Sequence, residues 1–250
     1  ERIKRGLQTA AEFINAETDE IFIGPSTTMN VFVMSQALAA DWKRGDEIIV
    51  TEQDHEANVG AWRRLAAQGI VVREWPVDRT TGALVPDALE RLLNERTRLV
   101  AFTHCSNVCS TVHDLPRLIR AIHKAGALAF IDGTAYAPHF PIDVKALDVD
   151  FYVFSLYKVC GPHQSVLYGK RALLERAAGL NHFFIGNESI TYKFLPGGPN
   201  HEHAAATVGT ADYFDALYRA HFKQPENAFH TRVARVYEVI GAHEAALAAR

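Results

Sequence analysis

Five short apolar runs in this sequence are each followed at once by residues able to bond, stack or ionise. Glu20–Ile23 leads into Gly24-Pro25-Ser26-Thr27-Thr28 at the start of a helical pattern. Glu47–Thr51 leads to His55, and Leu99–Thr103 leads to His104-Cys105-Ser106-Asn107. Leu128–Ile131 ends on Asp132-Gly133-Thr134, and Phe151–Phe154 ends on Ser155-Leu156-Tyr157-Lys158. Hydroxyls at a helix N-terminus can serve as an anion site, because free N–H groups and the helix dipole both favour negative charge. They can equally be plain N-caps. A lone His beside a loop is commonly just solvated, an Asp-Gly pair is usually a turn, and a Lys after a strand is usually surface charge. Four such residues at equivalent positions form a pattern that no single one makes.

These groups together fit pyridoxal phosphate. A lysine amine can hold its aldehyde covalently. An acid can keep the pyridine nitrogen protonated, so that the ring accepts electrons from a substrate carbanion. An imidazole can stack on the ring, and hydroxyls at a helix start can hold the phosphate.

The elements that must position them follow from periodicity. Further short apolar runs at Val71–Trp75 and Val166–Tyr168 bring the candidate strands to seven. Helical patterns lie near Met29–Trp42, Ala57–Ala67, Pro86–Asn94 and Leu115–Ala125. This alternation predicts an α/β fold: a mostly parallel sheet with helices on both faces. Ligands of such sheets bind outside the carboxyl ends of the strands, where the five clusters stand. The stretch Asn181–His203 reads as loop-rich, with GNES and PGGPN turns. The N-terminal ERIKRGLQTAAEFINA reads as an amphipathic helix begun in mid-pattern, and the C-terminal YEVIGAHEAALAAR also ends within one. The expectation is a fragment, with a cofactor-binding large domain over 1–215 and the start of a connection to a small domain over 216–250.

Composition removes other classes. Of 250 residues, 48% are hydrophobic and 22% charged, which places the chain among globular proteins. A net charge of −3 without a Lys/Arg run argues against nucleic acid. No apolar run is long enough to cross a bilayer. Three cysteines are too few for a disulfide framework and suggest a reducing, cytoplasmic setting. They read as small buried or semi-buried residues. His201-Glu202-His203 and His104-Cys105 do not match a zinc spacing, so no metal is expected.

The motifs Thr103–Val108 (T-H-x-S-N-V), Asp132-Gly133, Pro141–Ser155 and Ser155–Pro162 (S-x-x-K-x-x-G-P) resemble the cysteine desulfurase and selenocysteine lyase branch of the class V aminotransferase fold. Gly45–Trp62 is similar to the segment that carries the stacking His in that family. The resemblance implies the large domain of a fold-type I pyridoxal-phosphate enzyme, with the small C-terminal domain outside the chain. It implies that Lys158 binds the cofactor and moves protons, and that Asp132 pairs with the pyridine nitrogen. It implies that His55 stacks on the ring and that Asn107 bonds near the ring hydroxyl or the substrate. Ser26, Thr27, Thr28, Ser155 and Tyr157 would complete the cofactor site. The PGGPNHEH segment resembles a loop that reaches the partner's phosphate site, implying a homodimer.

Two positions differ from the family pattern. Ala135 stands where Gln is usual, and Tyr157 stands where His usually precedes the lysine. The sulfur-accepting cysteine and the carboxylate-binding arginine of the desulfurases would lie beyond Arg250. The expected substrate is an α-amino acid, with cysteine desulfuration leading and a sulfur-acceptor protein as partner. A transaminase, a β-elimination lyase or an epimerase is the alternative. A truncated non-catalytic domain is the alternative of another class.

Overall fold

The computed structural model describes residues 1–250. Seven strands form one sheet: β1 Ile21–Gly24, β2 Glu47–Thr51, β3 Val71–Trp75, β4 Thr97–Thr103, β5 Leu128–Asp132, β6 Phe151–Ser155 and β7 Ser165–Gly169. Their order is β1-β7-β6-β5-β4-β2-β3. All neighbours pair parallel except those of β7, which runs against both β1 and β6. Four of the strands (β1, β2, β6 and β7) are buried along their whole length, which is why they read as unbroken apolar runs rather than alternating ones.

Ten helices flank the sheet. They are α1 Arg2–Phe13, α2 Thr27–Ala39, α3 Glu56–Arg64, α4 Pro86–Leu92, α5 Leu115–Lys124, α6 Val144–Leu147, α7 Arg171–Arg176, α8 His201–Ala206, α9 Val208–His221 and α10 Phe229–Ala248. One face of the sheet packs against α1, α5, α9 and α10 through Phe13, Leu118, Ile122, Phe214 and Val233. The other packs against α2 and α3 through Val31, Met34, Val59 and Trp62. Two separate cores are the signature of a sheet covered on both sides. No helix is long and apolar enough to cross a membrane.

Element edges differ from the periodic reading where local chemistry decides. Glu20 belongs to a 3₁₀ turn, Thr18–Glu20, so β1 begins at Ile21. Ser26 caps α2 by accepting the Met29 N–H, so that helix begins at Thr27 instead of Met29. The Ala57–Ala67 pattern splits into α3 and a 3₁₀ turn, Leu65–Gln68, closed by Gly69 at φ 89°. Within the loop-rich stretch, Tyr192–Phe194 forms a 3₁₀ turn and Asn200 caps α8. Cys105 is buried, but Cys109 and Cys160 are exposed, against the expectation for both. Cys109 lies in an exposed turn, Asn107–Cys109, and Cys160 ends a 3₁₀ turn in the left-handed region at φ 61°.

At the opposite edge of the sheet from the clusters, Glu47 is fully buried. It accepts hydrogen bonds from Arg73, from Arg96 at 2.6 Å and from Asn94 at 2.9 Å. The Arg73 bond is the main reason its carboxyl is held down at about 2. The unfolded value is higher, so this network stabilises the fold above about pH 4.5 and is lost as pH falls toward 2. Glu47→Gln should lower stability at neutral pH by about 3 kcal/mol, the low end for breaking a buried pair, since both arginines are partly solvated. Urea melts from pH 7 down to pH 2 test this. The variant should start lower and lose less on acidification, and equal midpoints at pH 7 would refute the network's role.

Candidate active site

The carboxyl ends of β1, β2, β4, β5 and β6 open on a single pocket of about 280 Å³. That is near the lower bound for small-ligand pockets, roughly 300 Å³. All nine residues singled out from the sequence line it: Ser26, Thr27, Thr28, His55, Asn107, Asp132, Ser155, Tyr157 and Lys158.

Its anion-friendly end is the start of α2. Thr27 Oγ1 lies 2.9 Å from Ser155 Oγ and 3.0 Å from Ser165 Oγ, and Ser165 Oγ donates to the Phe154 carbonyl at 2.8 Å. Asn30 donates to the Ser165 carbonyl, seating α2 against β7. Gly24 is required here, since a Cβ would fall 1.8 Å from Asn30 Oδ1. Ser26 is thus a cap and also a pocket residue, so the two readings of that segment are not exclusive.

Asp132 ends β5 and is 5% exposed. Its Oδ1 accepts the Thr134 N–H at 2.8 Å. Gly133 passes so close to Tyr152 that a Cβ would lie 2.0 Å from the phenol oxygen, so the turn after Asp132 admits only glycine. Burial pushes the Asp132 carboxyl upward, with His55 pulling weakly the other way. A buried carboxylate without a fixed cation is costly unless something positive arrives.

His55 is the N-cap of α3. Its Nδ1 accepts the Ala57 N–H at 3.0 Å, which leaves the proton on Nε2 and fixes the ring's direction. Behind the pocket, His104 stacks on Tyr136 at 3.5 Å and its Nδ1 meets the Tyr152 hydroxyl at 2.9 Å. Burial drives the His104 pKa to about 3, so this ring is a neutral spacer.

Lys158 sits on a 3₁₀ turn, Leu156–Val159, tied down at both sides by Leu156 N–H to Gln164 O and Gly161 N–H to Leu156 O. Its Nζ is 5.8 Å from the Tyr157 ring centre. Tyr157 stacks on His163, with ring centres 4.8 Å apart and planes 7° from parallel. Six further pocket residues were not named as site residues from the sequence: Ala57, Thr103, Cys105, Thr134, Ala135 and His163. Thr103 and Thr134 stood at strand ends and were legible there. His163 was not, because only the reversal of β7 folds it back onto Tyr157. No group of three or more His, Cys, Asp or Glu side chains is arranged to hold a metal.

The donor set suits pyridoxal phosphate: a buried, uncompensated acid, an amine, an oriented imidazole and a hydroxyl-lined helix start converge on one pocket. A mostly parallel seven-stranded sheet carrying them defines the fold class of the pyridoxal-phosphate transferases. The chain belongs to the class-V aminotransferase family, whose model matches residues 2–247. It is 43% identical over 210 residues to an aminotransferase-like protein, FGM3, of Gibberella zeae, covering 83% of this chain and 52% of that one. It is 33% identical to a probable cysteine desulfurase of Vibrio cholerae, covering 93% of this chain and 62% of that one. The chain therefore spans about half to three fifths of these relatives' lengths. The crystal structure of the cysteine desulfurase CsdA of Escherichia coli superposes with a TM-score of 0.76 at 29% identity, over 90% of this chain and 63% of that one.

Proposed function

We propose that this chain is the cofactor-binding part of a pyridoxal-phosphate enzyme acting on an α-amino acid, with conversion of L-cysteine to L-alanine and enzyme-bound sulfur as its leading reaction. The observation that carries this reading is the convergence of Lys158, Asp132, His55 and the α2 hydroxyls on one pocket. When bound, the cofactor would supply an electron sink for negative charge at the substrate's α-carbon. Lys158 Nζ would hold it covalently and carry the proton of the substrate's α-carbon. Asp132 would pair with the ring nitrogen. His55, oriented by its own cap bond, would stack on the ring, and Asn107 would bond near its hydroxyl or the substrate. Thr27, Ser155, Ser26 and Thr28 would hold the phosphate with the N-terminus of α2. Tyr157, stacked on His163, walls the pocket beside Lys158.

The desulfurase reading draws on the Vibrio and Escherichia proteins. A sulfur-accepting protein would be its partner, and a homodimer is the assembly in which the Pro196–His203 segment would serve a neighbouring site. A transaminase, lyase or epimerase reaction on the same scaffold is favoured by one feature: Ala135 and Tyr157 both line the pocket and alter the polar surroundings of a bound ring.

The test is an absorption spectrum of the protein with pyridoxal phosphate, before and after borohydride, followed by peptide mapping. A visible band that borohydride bleaches, with the adduct on Lys158, is the expected result. A folded sample that shows no band would end the proposal.

A further inference from the structure

Strand order divides the pocket into two sides. β1, β7 and β6 stand on one side of β5, and β4 and β2 stand on the other. Thr27, at the start of α2, bonds to Ser155 at the end of β6 and to Ser165 at the start of β7, so the hydroxyl-lined end belongs to the first side. His55 and Asn107 follow β2 and β4 and belong to the second.

One imidazole of the lining has no part in the chemistry above. Ser155 and Ser165 face each other in the antiparallel β6–β7 register. Two residues beyond this pair, one on each arm of the return, come Tyr157 and His163. Two residues of extended chain span at most about 7 Å, so both stay close to the paired serines. Their rings meet face to face, 4.8 Å apart and 7° from parallel, and both line the pocket. The turn between them is held by its backbone, with the Leu156 N–H donating to the Gln164 carbonyl at 2.8 Å and the Gly161 N–H to the Leu156 carbonyl at 2.9 Å. His163 is exposed, so no core packing depends on its ring.

Charge then decides what the ring is for. A phosphate monoester carries about 1.5 to 2 negative charges near neutral pH. The hydroxyls of Ser26, Thr27, Thr28 and Ser155 can donate to it, but none brings a full positive charge. Of the side chains lining the pocket, only Lys158, His55 and His163 can be cations, and no arginine is among them. Lys158 is committed to the aldehyde. His55 stands across β5 with its Nδ1 tied to the Ala57 N–H. His163 is left, and it is on the side of the hydroxyls.

We propose that His163 is a phosphate-binding residue, donating a ring N–H to the cofactor's phosphate from the β7 side while Tyr157 holds the imidazole flat. The inference rests on the pyridoxal-phosphate reading. It also accounts for Tyr157, which stands where the family pattern has His: the imidazole is kept but comes from the other arm of the turn, with Tyr157 as its platform.

The test compares pyridoxal phosphate with pyridoxal, which lacks the phosphate, by titration of the full chain. His163→Phe keeps a flat ring on Tyr157 and removes the N–H. Its affinity for pyridoxal phosphate should fall roughly 10- to 100-fold, the worth of a hydrogen bond to a charged group, and its affinity for pyridoxal should stay at the wild-type value. Pyridoxal's internal hemiacetal weakens binding to both proteins alike and cancels in the comparison. His163→Gln restores an N–H without the ring and should recover part of the loss, for pyridoxal phosphate alone. Unchanged affinity of His163→Phe for pyridoxal phosphate would overturn the inference. So would an equal loss for both compounds, since His163 would then act on the ring or the fold. A wild type that binds neither compound would instead overturn the pyridoxal-phosphate reading, and this inference with it.

Discussion

Lys158→Ala should leave a folded protein that binds pyridoxal phosphate only reversibly and turns over its amino-acid substrate roughly 10²–10⁴-fold more slowly, the usual worth of a positioned acid–base group. The loss at the α-carbon should be larger than any loss of fold. Lys158 is exposed, makes no hydrogen bond that holds the turn, and sits on a turn fixed by backbone bonds at Leu156 and Gly161. Removing its side chain therefore takes away chemistry and leaves packing alone. Two measurements separate the effects: the thermal midpoint, which should stay within the scatter of the wild type, and the borohydride-stable adduct, which should vanish. An adduct that persists at the normal place in the variant would show that another amine carries the cofactor. Added primary amines should restore part of the lost rate, because the missing group is a base and a proton carrier.

Asp132→Asn should move two quantities in opposite directions. Cofactor affinity should fall by roughly 10²-fold or more, because a buried charge pair that loses one partner costs about 3–5 kcal/mol. The empty protein should meanwhile become more stable at neutral pH. An amide oxygen can still accept the Thr134 N–H, and the side chain at this 5% exposed position can no longer ionise. The sign follows from the raised carboxyl. Its folded value lies above the unfolded one, so its contribution is present below the unfolded value and is lost as pH rises through the folded one. The wild type's melting temperature should fall over that window, and the variant's should fall less. Isothermal titration and melts from pH 4 to pH 8 read both arms. Undiminished affinity in the variant would mean that Asp132 does not face the ring nitrogen.

Much of this site was readable because the parallel sheet places chemistry by rule. Strands buried on both faces are short apolar runs, and β2 matches its predicted span to the residue, as does the partly exposed edge strand β3. The residue just past such a strand projects at the ligand edge, so Asp132, Asn107 and Lys158 could be placed before any coordinates. Two kinds of residue escaped. His163 lies five positions beyond Lys158 and reaches the pocket only because the chain reverses into β7 and stacks the ring on Tyr157. Sequence spacing does not announce an antiparallel return within a parallel sheet. Asp54, which joins the end of β4 to α3, escaped because the groups that hold it come from elsewhere in the chain: the Thr103 N–H at the end of β4 and the Asn58 amide in α3 are invisible at position 54. The two exposed cysteines show the same limit, since composition ranks cysteine as a buried residue while a surface turn and a left-handed turn end decide otherwise.

The lone reversed strand also sets an order of events during synthesis. β1 has no partner except β7, so Ile21 waits for Tyr168 and Gly24 for Ser165. The same wait applies to Thr27, whose hydroxyl partners Ser155 and Ser165 are more than a hundred residues downstream. A growing chain can assemble β2 to β5 from nearer contacts well before then, and contacts this distant form late. Until β7 emerges, the first strand is an unpaired apolar edge and α2 has nothing to seat its start against. The phosphate-holding end of the pocket is therefore the last part of the sheet edge to mature, and the exposed β1 edge is a place where a stalled chain would aggregate.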